Sequence, residues 1–273
     1  MFGKLLKNDF THYFKLWLVG AVTALALSFV GGVCLRNRNM LYGIDGPIGV
    51  IIAMMATMVM IVSVLSIFAF TVLSTVLICM RYAKNCYSDE GYLTFTLPAK
   101  RSTIFNAKFV TGFLYNLMAV MVAAICFLIF LGIGIPEAVS DMFYALDMFM
   151  RAGVSELGMY FWIYAAVIAV WVIIGMLLGL NILFFSITFA GTKVRKNKVI
   201  AGIGVYYLAS IILGTVSQLA VFFFASAIDV RAHNMSNAAL LVLMLIGVIW
   251  TFGGVAALYY SQLHMLDKKL NLA

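Results

Sequence analysis

Residues 48–80 read IGVIIAMMATMVMIVSVLSIFAFTVLSTVLICM, and this stretch decides the fold. It contains no Asp, Glu, Lys or Arg. A half-buried soluble helix carries a polar face at a 3.6-residue period, and a half-buried strand alternates every second residue. Neither pattern interrupts this run. Apolar stretches of about 18 residues or more span bilayers as helices, which satisfy every backbone N–H and C=O internally where water is absent. A spanning β-barrel would instead show alternating segments of about 10 residues.

Five more such runs lie outward from this one, at 16–35, 109–135, 159–190, 199–228 and 238–263, and none contains an Asp, Glu, Lys or Arg. The 273-residue chain is 65% hydrophobic and only 10% charged, whereas soluble domains carry roughly 25% charged residues. So few charges cannot cover a water-facing surface. The expected fold is all-α, a single polytopic membrane domain over 1–273 with six transmembrane spans. The runs at 48–80 and 159–190 exceed 30 residues. Each is too short for two spans and a turn, so each is expected to be one long helix that tilts or protrudes. The run beginning at Leu16 is longer than the apolar core of a cleaved leader and is expected to be retained.

In residues 1–15, Phe2, Leu5, Leu6, Phe10, Tyr13 and Phe14 recur at helical spacing, while Lys4, Lys7, Asn8 and Thr11 mostly fall elsewhere. This pattern predicts an amphipathic interfacial helix preceding the first span. Within 136–158, Met142, Phe143, Leu146, Phe149 and Met150 share a helical face, with Asp141, Asp147 and Arg151 away from it. A short helix resting on the outer membrane surface, or dipping into it, is expected there.

Charge sets the orientation. The N-terminus, 81–108, 191–198 and the C-terminal tail hold 14 of the 18 Lys and Arg residues. The opposite side holds Arg36, Arg38, Arg151 and Arg231. Cytoplasmic loops are enriched in Lys and Arg, so both termini are expected in the cytoplasm. A basic face opposite anionic lipid also accounts for the net charge of +8 without nucleic acid.

The chemistry missing from the sequence narrows the function. Proton- and ion-coupled carriers usually need an ionisable group within a span, and channels often need rings of charge. No phosphate-binding G-x-x-x-x-G-K-[ST], H-E-x-x-H or G-x-S-x-G motif occurs. Cys34, Cys79, Cys86 and Cys126 lack metal-ligand spacing. No metal, cofactor or catalytic residue is expected. Asn116, Asn181 and Gln218 lie within spans, where they either line a pathway or make interhelical hydrogen bonds. Gly175 and Gly179 form a GxxxG pair, a weak signal of helix association.

The loop at 81–108 is unusual for a solvated tether. Asp89 and Glu90 precede Gly91, then Tyr92, Leu93, Phe95 and Leu97 follow, and Pro98 closes the stretch. Such a segment either docks into a groove of another protein or places its aromatics among headgroups. The run YSDEGYLTFTLPAKRS, residues 87–102, followed by a helix start bearing Lys108, resembles a cytoplasmic loop of the type-2 export permeases of bacterial ATP-binding-cassette transporters. The resemblance implies a coupling helix seated on a separate ATPase subunit, with Asp89, Glu90, Gly91, Tyr92, Leu93, Phe95, Leu97 and Pro98 at the interface. It also implies a second permease subunit, identical or related, around a shared pathway in a bacterial plasma membrane. The expected function is therefore the permease subunit of an ATP-driven exporter, with ATP hydrolysis elsewhere. The alternatives are a non-transporting membrane scaffold and, after it, a channel or secondary carrier.

Overall fold

The computed structural model describes residues 2–43, 46–87, 100–194, 196–227 and 237–268. Every element among them is a helix, and six are long and apolar enough to cross a membrane. The protein is thus an all-α, multi-pass membrane bundle. The helices are α1 (Phe2–Arg36), α2 (Arg38–Tyr42), α3 (Pro47–Tyr87), α4 (Arg101–Gly134), α5 (Pro136–Leu157), α6 (Met159–Lys193), α7 (Lys198–Ala227) and α8 (Asn237–Lys268). Each of the six apolar runs lies in one helix, except for two last residues: Ile135, at the end of the third, follows α4, and Ile228, at the end of the fifth, is outside the described residues.

The two longest runs are unbroken, as their length required. Helix α3 has 41 residues, about 60 Å at 1.5 Å per residue, or twice a hydrocarbon core of about 30 Å. Its last turns, from Arg81 onward, therefore lie beyond the apolar run. Proline opens both α3 and α5, at the first helical position, where a missing N–H costs nothing.

Residues 2–15 are helical and form the first turns of α1, which runs without a break into the span. Part of their apolar face meets protein. Phe10 stacks on Tyr115 with ring centroids 5.0 Å apart, and its carbonyl accepts a 2.5 Å bond from the Tyr115 hydroxyl. Phe14 stacks on Trp17. These aromatic residues spend apolar surface on protein, and Asp9 is buried beside them.

The chain divides into two compact units. One comprises 6–78 and 114–151. Here small residues let α1, α3 and α4 approach closely, as lipid-embedded packing favours. A β-carbon on Gly31 would overlap Ser63, and one on Gly32 would stand 3.0 Å from the Phe130 carbonyl oxygen. Ser63 Oγ donates to the Leu27 carbonyl at 2.7 Å, and the Trp17 indole donates to Ser74 Oγ at 3.0 Å. Helix α2, unforeseen in the sequence, places the Tyr42 hydroxyl 2.5 Å from Thr57 Oγ1.

The other unit comprises 1–5, 79–113 and 152–273. Helices α6 and α8 pair extensively in it, with α7 alongside. Trp171 covers Gly247, the Trp250 indole donates to Ser217 Oγ at 3.0 Å, and the Tyr164 hydroxyl donates to the Asn237 carbonyl at 2.7 Å.

Candidate functional site

A buried aromatic and polar node lies where α3 ends, α4 begins, and α6 and α8 run toward their C-termini. All of it belongs to the second unit described above. Its centre is Tyr82, 1% exposed. The Tyr82 ring lies flat on Phe184, with centroids 4.1 Å apart and planes 2° from parallel. Its hydroxyl sits 2.7 Å from Thr188 Oγ1, so the polar tip is satisfied in a site closed to water. Phe105 presents edge contacts to Tyr82 and Phe184 and tilts against Tyr259. The Tyr259 hydroxyl donates to Asn106 Oδ1 at 2.6 Å.

Two ties border residues 88–100, between α3 and α4. On the α3 side, Tyr87 rests on Gly191 of α6 so closely that any β-carbon there would overlap the ring. On the α4 side, the Arg101 guanidinium donates to the Leu266 carbonyl of α8 at 2.6 Å. That carbonyl is among the last of its helix, where backbone acceptors lack intrahelical partners and a cation is favoured. The loop's two flanks are thus fastened to two different helices.

Deeper in the bundle, α6 and α8 are joined by a buried amide pair. Asn181 Nδ2 donates to the Val255 carbonyl at 2.8 Å. Gln262 Nε2 donates to Asn181 Oδ1, and Gln262 and Asn181 are both fully buried. Asn181 therefore takes the interhelical alternative of the two open to it. Asn116 is half-buried on α4, and Gln218 is exposed on α7. Asn116 belongs to one unit, Asn181 and Gln218 to the other.

Asp89, Glu90, Gly91, Tyr92, Leu93, Phe95, Leu97 and Pro98 all lie outside the described residues. Gly175 and Gly179 face open space, with nothing within 4 Å of an added β-carbon. Among the described residues, no group of three or more His, Cys, Asp or Glu is placed to hold a metal ion. The node's chemistry is hydroxyl, amide and aromatic, suited to rigid positioning.

Sequence reasoning found Asn181 but missed its partner. Gln262 was legible by the same rule, as a polar side chain inside an apolar run. Tyr82, Thr188 and Gly191 carried no comparable signal, because isolated Tyr, Thr and Gly are ordinary near span ends. No family model, curated protein or solved structure matches the chain.

Proposed function

We propose that the chain is the permease subunit of an ATP-driven exporter, working with a separate ATPase that binds the loop between α3 and α4. The observation that carries this reading is the loop's sequence, acidic then aromatic, set between two flanks fastened to α6 and α8. A docking segment can move spans only if its ends are held by them. Tyr87 on Gly191 and Arg101 on the Leu266 carbonyl supply such holds. The six apolar runs have no Asp, Glu, Lys, Arg or His to couple to an ion gradient, which favours an external energy source. The proposal includes a second permease subunit, a bacterial plasma membrane and cytoplasmic termini, the last resting on the 14-to-4 charge distribution.

The test is recovery of the ATPase with the permease. Tyr92 and Leu93 are the proposed apolar anchors, with Asp89 and Glu90 as their polar partners. Truncating an aromatic anchor in a desolvated pocket costs about 2 kcal/mol or more, so Tyr92→Ala is expected to weaken the complex roughly thirtyfold. Recovery is compared at equal membrane expression, between wild type and variant. Unchanged recovery returns the loop aromatics to the headgroups. Absence of any ATPase partner favours a membrane scaffold.

A further inference from the structure

We propose that α5 is an in-plane helix docked into the headgroup layer of the bilayer, with zwitterionic lipid as its partner. The first argument is where its ends are held. One residue, Ile135, separates α4 from α5, and one residue, Gly158, separates α5 from α6. The apolar run of α4 continues to residue 135 and that of α6 starts at 159. Both ends of α5 therefore sit where a span leaves the hydrocarbon.

Both joints are sharp elbows. A β-carbon on Gly132 would lie 3.9 Å from Val139 Cγ2, although seven residues of continuous helix rise about 10.5 Å. At the other end the Phe161 ring lies hard against Gly153, where eight residues would rise about 12 Å. Gly158 makes that turn at φ +57°, a conformation that favours glycine. The 22 residues of α5 thus run from one elbow to the other along the membrane boundary, without extending either span.

The second argument is how α5 divides its surface. Met142, Phe143 and Leu146 lie on one side and are 42%, 57% and 54% exposed. The chain leaves this apolar strip uncovered, and the position of the helix puts lipid beside it. Flanking the strip, one turn on from Phe143, Asp147 pairs with Arg151 at 2.8 Å, both open to water. Four carboxylates (Glu137, Asp141, Asp147 and Glu156) against one guanidinium give α5 a net charge of −3. An acidic helix is repelled by anionic headgroups, so it fits a zwitterionic surface. This inference holds for a permease and a scaffold alike.

The test uses the full chain in vesicles of phosphatidylcholine, with the native cysteines replaced and a fluorophore on Phe143→Cys, Leu146→Cys, Ser140→Cys or Ser155→Cys. Positions 143 and 146 are expected to be quenched by brominated acyl chains about twofold or more above 140 and 155, with the order reversed for aqueous iodide. Replacing half of the lipid with phosphatidylglycerol is expected to reduce acyl-chain quenching at 143. Equal quenching at all four positions overturns the proposal. So does protection of 143 and 146 from both quenchers, which would mean a protein partner or a second copy covers the strip. Unchanged quenching in the anionic vesicles overturns the lipid preference. The assay needs no ATPase, so its failure is separate from failure of the exporter reading.

Discussion

At the scale of the residue, close approach and buried amides set what can be changed. Gly191→Val is expected to destabilise the protein by about 1–3 kcal/mol, because its β-carbon would overlap the Tyr87 ring. Gly175→Ala and Gly179→Ala meet open space and are expected to leave the thermal midpoint in detergent unchanged or slightly raised. Loss of self-association in the latter pair, with the midpoint intact, would identify a subunit seam there. Asn181→Leu and Gln262→Leu each strand a buried partner, at a cost of about 1–3 kcal/mol. The double variant is expected to lose less than the sum, since the two act as one network. Thermal unfolding of all four species measures the coupling, and strict additivity would show that the pair does not act as a unit. Asn181 was legible in the sequence as a polar residue in a span. Its role was not, because composition does not reveal which helix faces which.

At the scale of the element, the apolar runs announced the helices with little ambiguity. Lipid leaves such a backbone only helices and closed barrels, and long unalternating runs exclude the barrel. What the runs did not announce was continuity. The first 15 residues have the periodicity of a surface helix, yet Phe10 packs against Tyr115 and the helix never stops. Periodicity reports that a face is apolar; it does not say whether lipid or protein covers it. A sharp test follows from the unbroken helix. Lys15→Pro would remove a backbone bond and clash with the preceding turn, at about 3 kcal/mol or more. The folded yield and thermal midpoint are expected to fall. A hinge between a surface helix and a span would accept the same proline with little loss.

At the scale of the whole molecule, the six-span reading assigns sides. The helix α5 and the loop between α3 and α4 are expected on opposite faces, with α5 outside. With the native cysteines replaced, Asp147→Cys is expected to react with an impermeant reagent in intact cells. Reaction only after the cytoplasmic side is opened would overturn the topology. The number of spans was legible from hydropathy and the orientation was expected from charge. The buried node was not legible, since it is assembled from four helices whose residues are up to 184 positions apart, from Tyr82 to Leu266. No local pattern marks such a gathering.

The division of the chain has a consequence for its biosynthesis. The boundaries between the two units fall inside continuous helices, at residues 5 and 6 in α1, 78 and 79 in α3, 113 and 114 in α4, and 151 and 152 in α5. Neither unit is a bead that a protease could release by cutting a loop, and neither can be expressed alone as one uninterrupted stretch. The unit holding 6–78 has all its residues once 151 has left the ribosome, while the unit holding 79–113 must wait for α6, α7 and α8. The ends of α3 and α4 that flank the loop are therefore made early and buried late. In that interval Tyr82 and Phe105, fully packed in the finished protein, lack Phe184 as a partner, and are open to whatever chaperone or insertase attends the nascent chain.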